Sequence, residues 1–123
     1  MKKIILFVLL FALTLPFLTG CVTRIPDSQH TKEKLESLGY VVEIEYFDEM
    51  KVSDHTCGQV VALTAEKDGA FALQAYFFQN KEDTKQYFDV RRVSLYKNME
   101  SVKRYDYSIW RGNAAAIKDA FSE

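Results

Sequence analysis

The stretch QVVALTAEKDGAFALQAYFFQ, residues 59–79, decides the fold of this chain. Two runs rich in β-branched and aromatic residues flank Asp68-Gly69, and an Asp-Gly pair between such runs is typical of a two-residue hairpin turn. The second run is apolar at both odd and even positions, which indicates a strand with both faces buried. The stretch therefore predicts an antiparallel hairpin whose second strand lies centrally in a sheet.

Apolar spacing outside this hairpin predicts helices and further strands. The elements expected in chain order are a helix over 31–39, a strand over 40–47, the hairpin, a helix over 80–99, a strand over 101–110 and a final helix over 113–121. Thr31 or Ser28 is expected to cap the first helix, and Asn80 the second. Residues 48–58 are expected to form a polar connection. The pattern predicts the α+β class: a two-layer sandwich of about four mainly antiparallel strands and about three helices.

The N-terminus carries a different pattern. Lys2 and Lys3 precede an uncharged run whose strongly apolar part, residues 4–15, spans about 18 Å as a helix. A bilayer core is roughly 30 Å thick, so a membrane-spanning anchor is disfavoured. A basic start followed by a short apolar run is the layout of a secretory signal.

The run ends in LTGC, residues 18–21, which resembles the lipobox of bacterial lipoproteins. This resemblance covers residues 1–22 and implies cleavage between Gly20 and Cys21. It also implies a diacylglycerol on the thiol of Cys21, while the freed amine can be acylated as well. The expected organisation is a signal peptide over 1–20, a lipidated cysteine and tether over 21–30, and a single domain over 31–123.

The same resemblance implies an extracytoplasmic, lipid-anchored protein. Val22 stands where an Asp often retains such proteins at the inner membrane, so the outer face of a plasma membrane and a Gram-negative outer membrane are both compatible addresses. The predicted mature part keeps 14 of the chain's 16 Lys and Arg residues against 17 acidic residues, because Lys2 and Lys3 are removed. That balance disfavours nucleic acid as a partner. Nothing in the sequence indicates a cofactor.

Two groups of residues are of types that can form catalytic or metal sites. In SDHTC, residues 53–57, the side chains of Asp54, His55 and Cys57 are of types used by nucleophilic and metal sites. Neighbouring residues rarely converge in one relay, so neither a catalytic nor a metal site is predicted there. Glu43 and Glu45 share a strand face about 6.6 Å apart, a spacing found in glycosidase carboxylate pairs, although solvated strand glutamates are far commoner.

Aromatic residues are dense enough to suggest a binding surface. An uncovered sheet face carrying Tyr76, Phe78, Tyr105 and Tyr107 would suit a small ligand or an envelope protein. The same rings could instead complete a small core. The function expected from the sequence is a membrane-anchored binding or protein-interaction module. The alternatives are a small envelope enzyme using His55 with Cys57 or Glu43 with Glu45, and a purely structural lipoprotein.

Overall fold

A computed structural model describes residues 25–122 of the chain. The predicted signal, the cleavage site between Gly20 and Cys21 and the lipid attachment at Cys21 lie outside the described residues. The elements are α1 (Ser28–Ser37), β1 (Val41–Phe47), β2 (Met50–Val52), β3 (His55–Cys57), β4 (Val60–Lys67), β5 (Ala70–Phe78), α2 (Lys81–Tyr96), β6 (Ser101–Arg104), β7 (Ser108–Gly112) and α3 (Ala114–Phe121).

Five strands form one antiparallel sheet in the order β1-β4-β5-β7-β6, and β2 pairs with β3 in a separate two-stranded sheet. The predicted hairpin is β4–β5, in which Lys67 pairs with Ala70. Asp68 and Gly69 form its turn with φ of 55° and 79°. Positive φ at both central residues is what a type I′ turn requires, and Asp-Gly supplies it at low cost. The turn is confirmed, and β5 is central as expected.

Helices pack against both faces of this sheet. Successive residues of β7 point to opposite sides, so Trp110 joins the apolar cluster beneath α1 and α3 while Ile109 joins the cluster beneath α2. We call these two sides the α1/α3 face and the α2 face. Helices on both sides explain why β5 is apolar at odd and even positions alike.

The α+β class is confirmed, with three helices and a mostly antiparallel sheet. The main sheet has five strands rather than about four, and the second helical layer adds to the expected two-layer arrangement. The extra strand arises because residues 101–110 are not one strand. A turn at residues 105–107 divides them, and the N–H of Tyr105 donates to the carbonyl of Ser108 at 2.8 Å. The polar connection at 48–58 holds the small β2–β3 sheet.

The helix boundaries follow local capping chemistry. Asn80 caps α2 as predicted, because its side chain accepts the N–H of Asp83 at 2.8 Å. At the other end of α2, Arg111 donates to the carbonyls of Leu95 and Ser94 at 3.0 and 3.2 Å. These bonds satisfy terminal helix carbonyls and fix the end of α2 to β7.

The first helix begins earlier than predicted. Asp27, not Thr31 or Ser28, is its N-cap and accepts the N–H of His30 at 2.7 Å. Pro26, expected in a free tether, is buried against the domain. Within the described residues, no helix combines the length and the apolar character needed to cross a bilayer.

Candidate functional site

The β2–β3 hairpin packs on α2 through its apolar side chains. Val52 and Cys57 are fully buried in the cluster that also contains Tyr87 and Leu95 of α2. Ser53 has a φ of 57° in the turn between the two strands. Burial of Val52 and Cys57 therefore holds this short hairpin against the helix, where its polar residues meet the first turn of α2.

His55 and Cys57 are two positions apart on β3, so both side chains point to the same side of the strand. That side faces the start of α2, where Asp83 is buried. The Nε2 of His55 lies 2.7 Å from Oδ1 of Asp83, and the thiol of Cys57 lies 3.8 Å from the backbone carbonyl of Asp83. One donor atom from each side chain falls within 4.8 Å of the other two. The structure thus brings together a group that the sequence did not predict.

Asp83 is the best-connected side chain of this group. Its Oδ1 accepts from the His55 ring, and its Oδ2 accepts the N–H of Gly58 at 3.0 Å and the amide of Asn80 at 3.2 Å. Burial alone would raise the pKa of this carboxyl. The hydrogen bonds from His55, Gly58 and Asn80, with the charge on His55, outweigh burial and hold the pKa of Asp83 below its ordinary value. Asp83 is therefore an ionised carboxylate whose negative charge is compensated by these hydrogen bonds and by His55.

The Cys57 thiol has the opposite tendency. Burial raises its pKa above the ordinary value, and the neighbouring Asp83 carboxylate raises it further. Nucleophilic cysteines need the thiolate and an accessible sulfur, whereas Cys57 is 0% exposed. The arrangement as it stands does not suit a nucleophilic thiol, although its three donor types are ones that bind metals.

The carboxylate of this cluster is not the one that lies beside His55 in the sequence. Asp54, adjacent in SDHTC, is exposed, and the carboxylate that joins His55 comes from a helix 28 residues further along the chain. Two features of the sequence could have indicated this cluster. His55 and Cys57 alternate on a strand that must bury one side, and Asp83 stands three residues after the capping Asn80.

The alternative carboxylate pair has a simpler environment. Glu43 and Glu45 are both exposed on β1, on the side of that strand opposite Val42 and Ile44. Neither has a side-chain hydrogen bond or ion pair among the contacts of the described residues, so nothing in their surroundings prepares them as a catalytic pair. The structure places them as solvated strand residues.

The four aromatic residues predicted for a binding face divide between different surroundings. Phe78 is buried on the α2 face and Tyr76 partly so, each ring packing on Tyr87. Tyr105 packs on Phe121 on the α1/α3 face, and Tyr107 is half exposed in the turn before β7. They do not line one uncovered surface, because α2 covers the sheet beneath Tyr76 and Phe78.

Comparison with family models, curated proteins and solved structures gives no match for the chain.

Proposed function

We propose that the chain is an extracytoplasmic bacterial lipoprotein, anchored through lipid on Cys21, whose α+β domain acts as a small binding or protein-interaction module. The observation that carries this proposal is LTGC at the end of a short apolar run behind two lysines. Two acyl chains suffice for stable anchoring without a spanning helix, because each buried CH₂ contributes about 0.8 kcal/mol.

The start of the fold supports a location close to the lipid. Pro26 is already buried and α1 begins at Ser28. The five Cα–Cα steps from Cys21 to Pro26 span at most about 18 Å when fully extended. A lipidated Cys21 would therefore hold the domain near the headgroups, within reach of membrane-bound or surface-associated partners.

Strand β1 supports the interaction role. Among the described residues it pairs with β4 on one side and lies at the edge of the sheet. Val41 and Tyr46 on this strand are 66% and 73% exposed. An edge strand has unpaired backbone groups that can accept an extended segment of a partner, and exposed apolar side chains beside them add affinity. Edge strand β1 is thus a surface suited to a protein partner.

The anchor is tested by replacing the attachment atom. In cells fed a clickable fatty acid, Cys21→Ser should abolish acyl labelling and either release the protein from the membrane fraction or leave the uncleaved precursor. The matched control is Cys57→Ser, which removes the other cysteine of the chain and should keep the label. Equal labelling of wild type and Cys21→Ser would overturn the lipoprotein assignment.

The interaction role is tested by capturing partners with the lipidated protein from its own envelope. Double substitution of Val41 and Tyr46 by Lys places charges on the edge and should reduce capture of a specific partner about tenfold or more. The control is Val93→Lys, because Val93 is 86% exposed on α2, away from β1. Equal loss with both variants would contradict the role of edge strand β1. Absence of any specific partner would favour a purely structural lipoprotein.

A further inference from the structure

We propose that His55, Cys57 and Asp83 form a binding site for a divalent transition-metal ion of the zinc class, with the fourth position left to water. This site is independent of the lipid anchor and of edge strand β1, since it depends on residues of β3 and α2 alone. It assigns a ligand to the polar group between the hairpin and the helix.

The donor set suits such an ion. Zinc binds imidazole nitrogen and carboxylate oxygen at about 2.0–2.2 Å and thiolate sulfur at about 2.3 Å, so tetrahedral ligands lie about 3.3–3.6 Å apart. Here the separations run from 2.7 Å between His55 and Asp83 to no more than 4.8 Å within the group. Displacements of about 1 Å, which side-chain rotation can supply, would bring the three donor atoms from their present separations to those of tetrahedral ligands.

The surroundings of Asp83 match the support that metal ligands usually have. Ligating carboxylates are themselves hydrogen-bonded, which fixes their orientation. The Oδ2 of Asp83 is held by the N–H of Gly58 and by the Asn80 amide, while Oδ1 is directed at His55. One oxygen is thus fixed by the protein, and the other remains on the side where the ion would sit.

Charge balance also favours a divalent ion. A thiolate and a carboxylate together neutralise a 2+ charge, and a neutral imidazole completes the set, so a buried ion would carry no uncompensated charge. On binding, the S–H bond of Cys57 and the Nε2–H bond of His55 break and both protons leave to solvent, so that the thiolate and the neutral imidazole bind the ion. The hydrogen bond between His55 and Asp83 is replaced by two ligand bonds to the metal.

Access is available from one side. The His55 side chain is 28% exposed, whereas the side chain of Asp83 is 7% exposed and Cys57 is fully buried. An ion would enter beside the imidazole and reach the sulfur at the bottom of the site. The water ligand would then occupy the solvent side, which is the open coordination position that catalytic zinc sites keep.

The test is a titration of the full-length chain, purified in detergent and treated with a chelator, with Co²⁺ under anaerobic conditions. We expect one equivalent of Co²⁺ to give a thiolate-to-cobalt charge-transfer band and the visible bands of a four-coordinate ion. Zn²⁺ should then displace it. Asn80→Ala, which removes a bond to Asp83, should weaken zinc affinity about 10- to 100-fold.

Matched variants identify the ligands. Cys57→Ser should remove the charge-transfer band, and His55→Gln should abolish the visible bands while keeping the fold, because His55 is partly exposed. The control is His30→Gln, which changes the second histidine of the chain, exposed on α1, and should leave the titration unchanged. If Cys57→Ser does not fold, the His55→Gln titration decides: loss of the visible bands supports the site, and bands equal to those of wild type overturn it.

A second measurement is the zinc-induced rise in melting temperature, which wild type and His30→Gln should show and His55→Gln should lack. No charge-transfer band in wild type, or a band that persists in Cys57→Ser, would overturn the proposal. That result would leave His55 and Asp83 as a purely structural pair and would say nothing against the lipid anchor or edge strand β1.

Discussion

The two faces of the sheet are held by different means. The α1/α3 face is closed by apolar packing of α1 and α3 around Trp110, with the bond from Tyr40 to Asp119 at its edge. The α2 face has an apolar cluster too, but its outer part is the polar group centred on Asp83. The contrast teaches that the α1/α3 face supplies stability mainly through burial, while the α2 face adds to burial a large contribution from a charged carboxylate and its hydrogen bonds.

The largest effect is expected on the α1/α3 face. Trp110 is fully buried, its ring contacts Phe77 and Phe121, and its Nε1 donates to Ser108 at 2.9 Å. Trp110→Ala should reduce the free energy of unfolding by about 3–5 kcal/mol, because it removes a large side chain and leaves a cavity. Urea unfolding followed by circular dichroism measures this. Phe71→Ala, at a 39% exposed position of β5, should cost less, about 1–2 kcal/mol, because part of its ring already lies in water.

The next effect is expected on the α2 face. Asp83→Asn keeps the shape of the side chain but removes the charge that His55, Gly58 and Asn80 satisfy. The expected loss is about 2–3 kcal/mol of unfolding free energy, because bonds to a charged group are weakened and a buried donor loses its acceptor. The control Asp89→Asn breaks an exposed pair with Lys85 and should change stability by about 0.5 kcal/mol or less. Equal effects of the two variants would contradict the role assigned to Asp83.

Lowering the pH should reduce the stability of the protein through the α2 face, where Asp83 lies. The pKa of Asp83 is lower in the folded protein than its ordinary value, and an unfolded Asp titrates near about 3.9. Its contribution is therefore fully present above about pH 5 and is lost as the pH falls through the folded pKa. Unfolding midpoints measured between about pH 7 and pH 3 should fall more steeply for wild type than for Asp83→Asn. Parallel curves would mean that another carboxylate carries the acid sensitivity.

The smallest effect is expected at the edge of the α1/α3 face. Tyr40→Phe removes the bond in which the hydroxyl donates to Oδ2 of Asp119 at 2.7 Å, and should cost about 1 kcal/mol. Burial first, and then the bond to Asp119, raise the pKa of Tyr40 to about 12. Since an unfolded Tyr ionises near about 10, wild type should lose stability as the pH rises from about 10 toward 12, and the variant should lose less. The exposed Tyr96→Phe is the control and should behave as wild type.

Local chemistry explains which parts of the fold could be predicted from sequence. The Asp68-Gly69 turn, the cap at Asn80 and the glycine that follows α1 at position 39 each depend on a few adjacent residues, and the structure contains all three, with a φ of 91° at Gly39. The β2–β3 hairpin could not be predicted because its strands have three residues each, and burial of Val52 and Cys57 against α2 stabilises them. Tertiary packing outweighs weak local preference there.

The candidate site could not be predicted for the same reason, because it forms only when segments that are distant in the chain pack together. A helix that begins after the cap at Asn80 has Asp83 in its first turn, and His55 with Cys57 stand out in the sequence, yet no local pattern relates the two segments. Their meeting follows from α2 packing on the hairpin, which also required a second helical layer. The sequence of β5 indicates that layer, because its apolar residues at both odd and even positions must be covered on both sides of the sheet.

Because Cys57 is buried, the reactivity of its thiol reports a local motion of the protein. A thiol reacts only when solvent and reagent can reach its sulfur, and here the hairpin covers the sulfur of Cys57 completely. Reaction with a thiol reagent must therefore wait until the hairpin lifts from α2. The alkylation rate of Cys57, compared with that of an unfolded chain, reports the fraction of molecules in which this one segment is open. The chain thus carries its own probe of local opening.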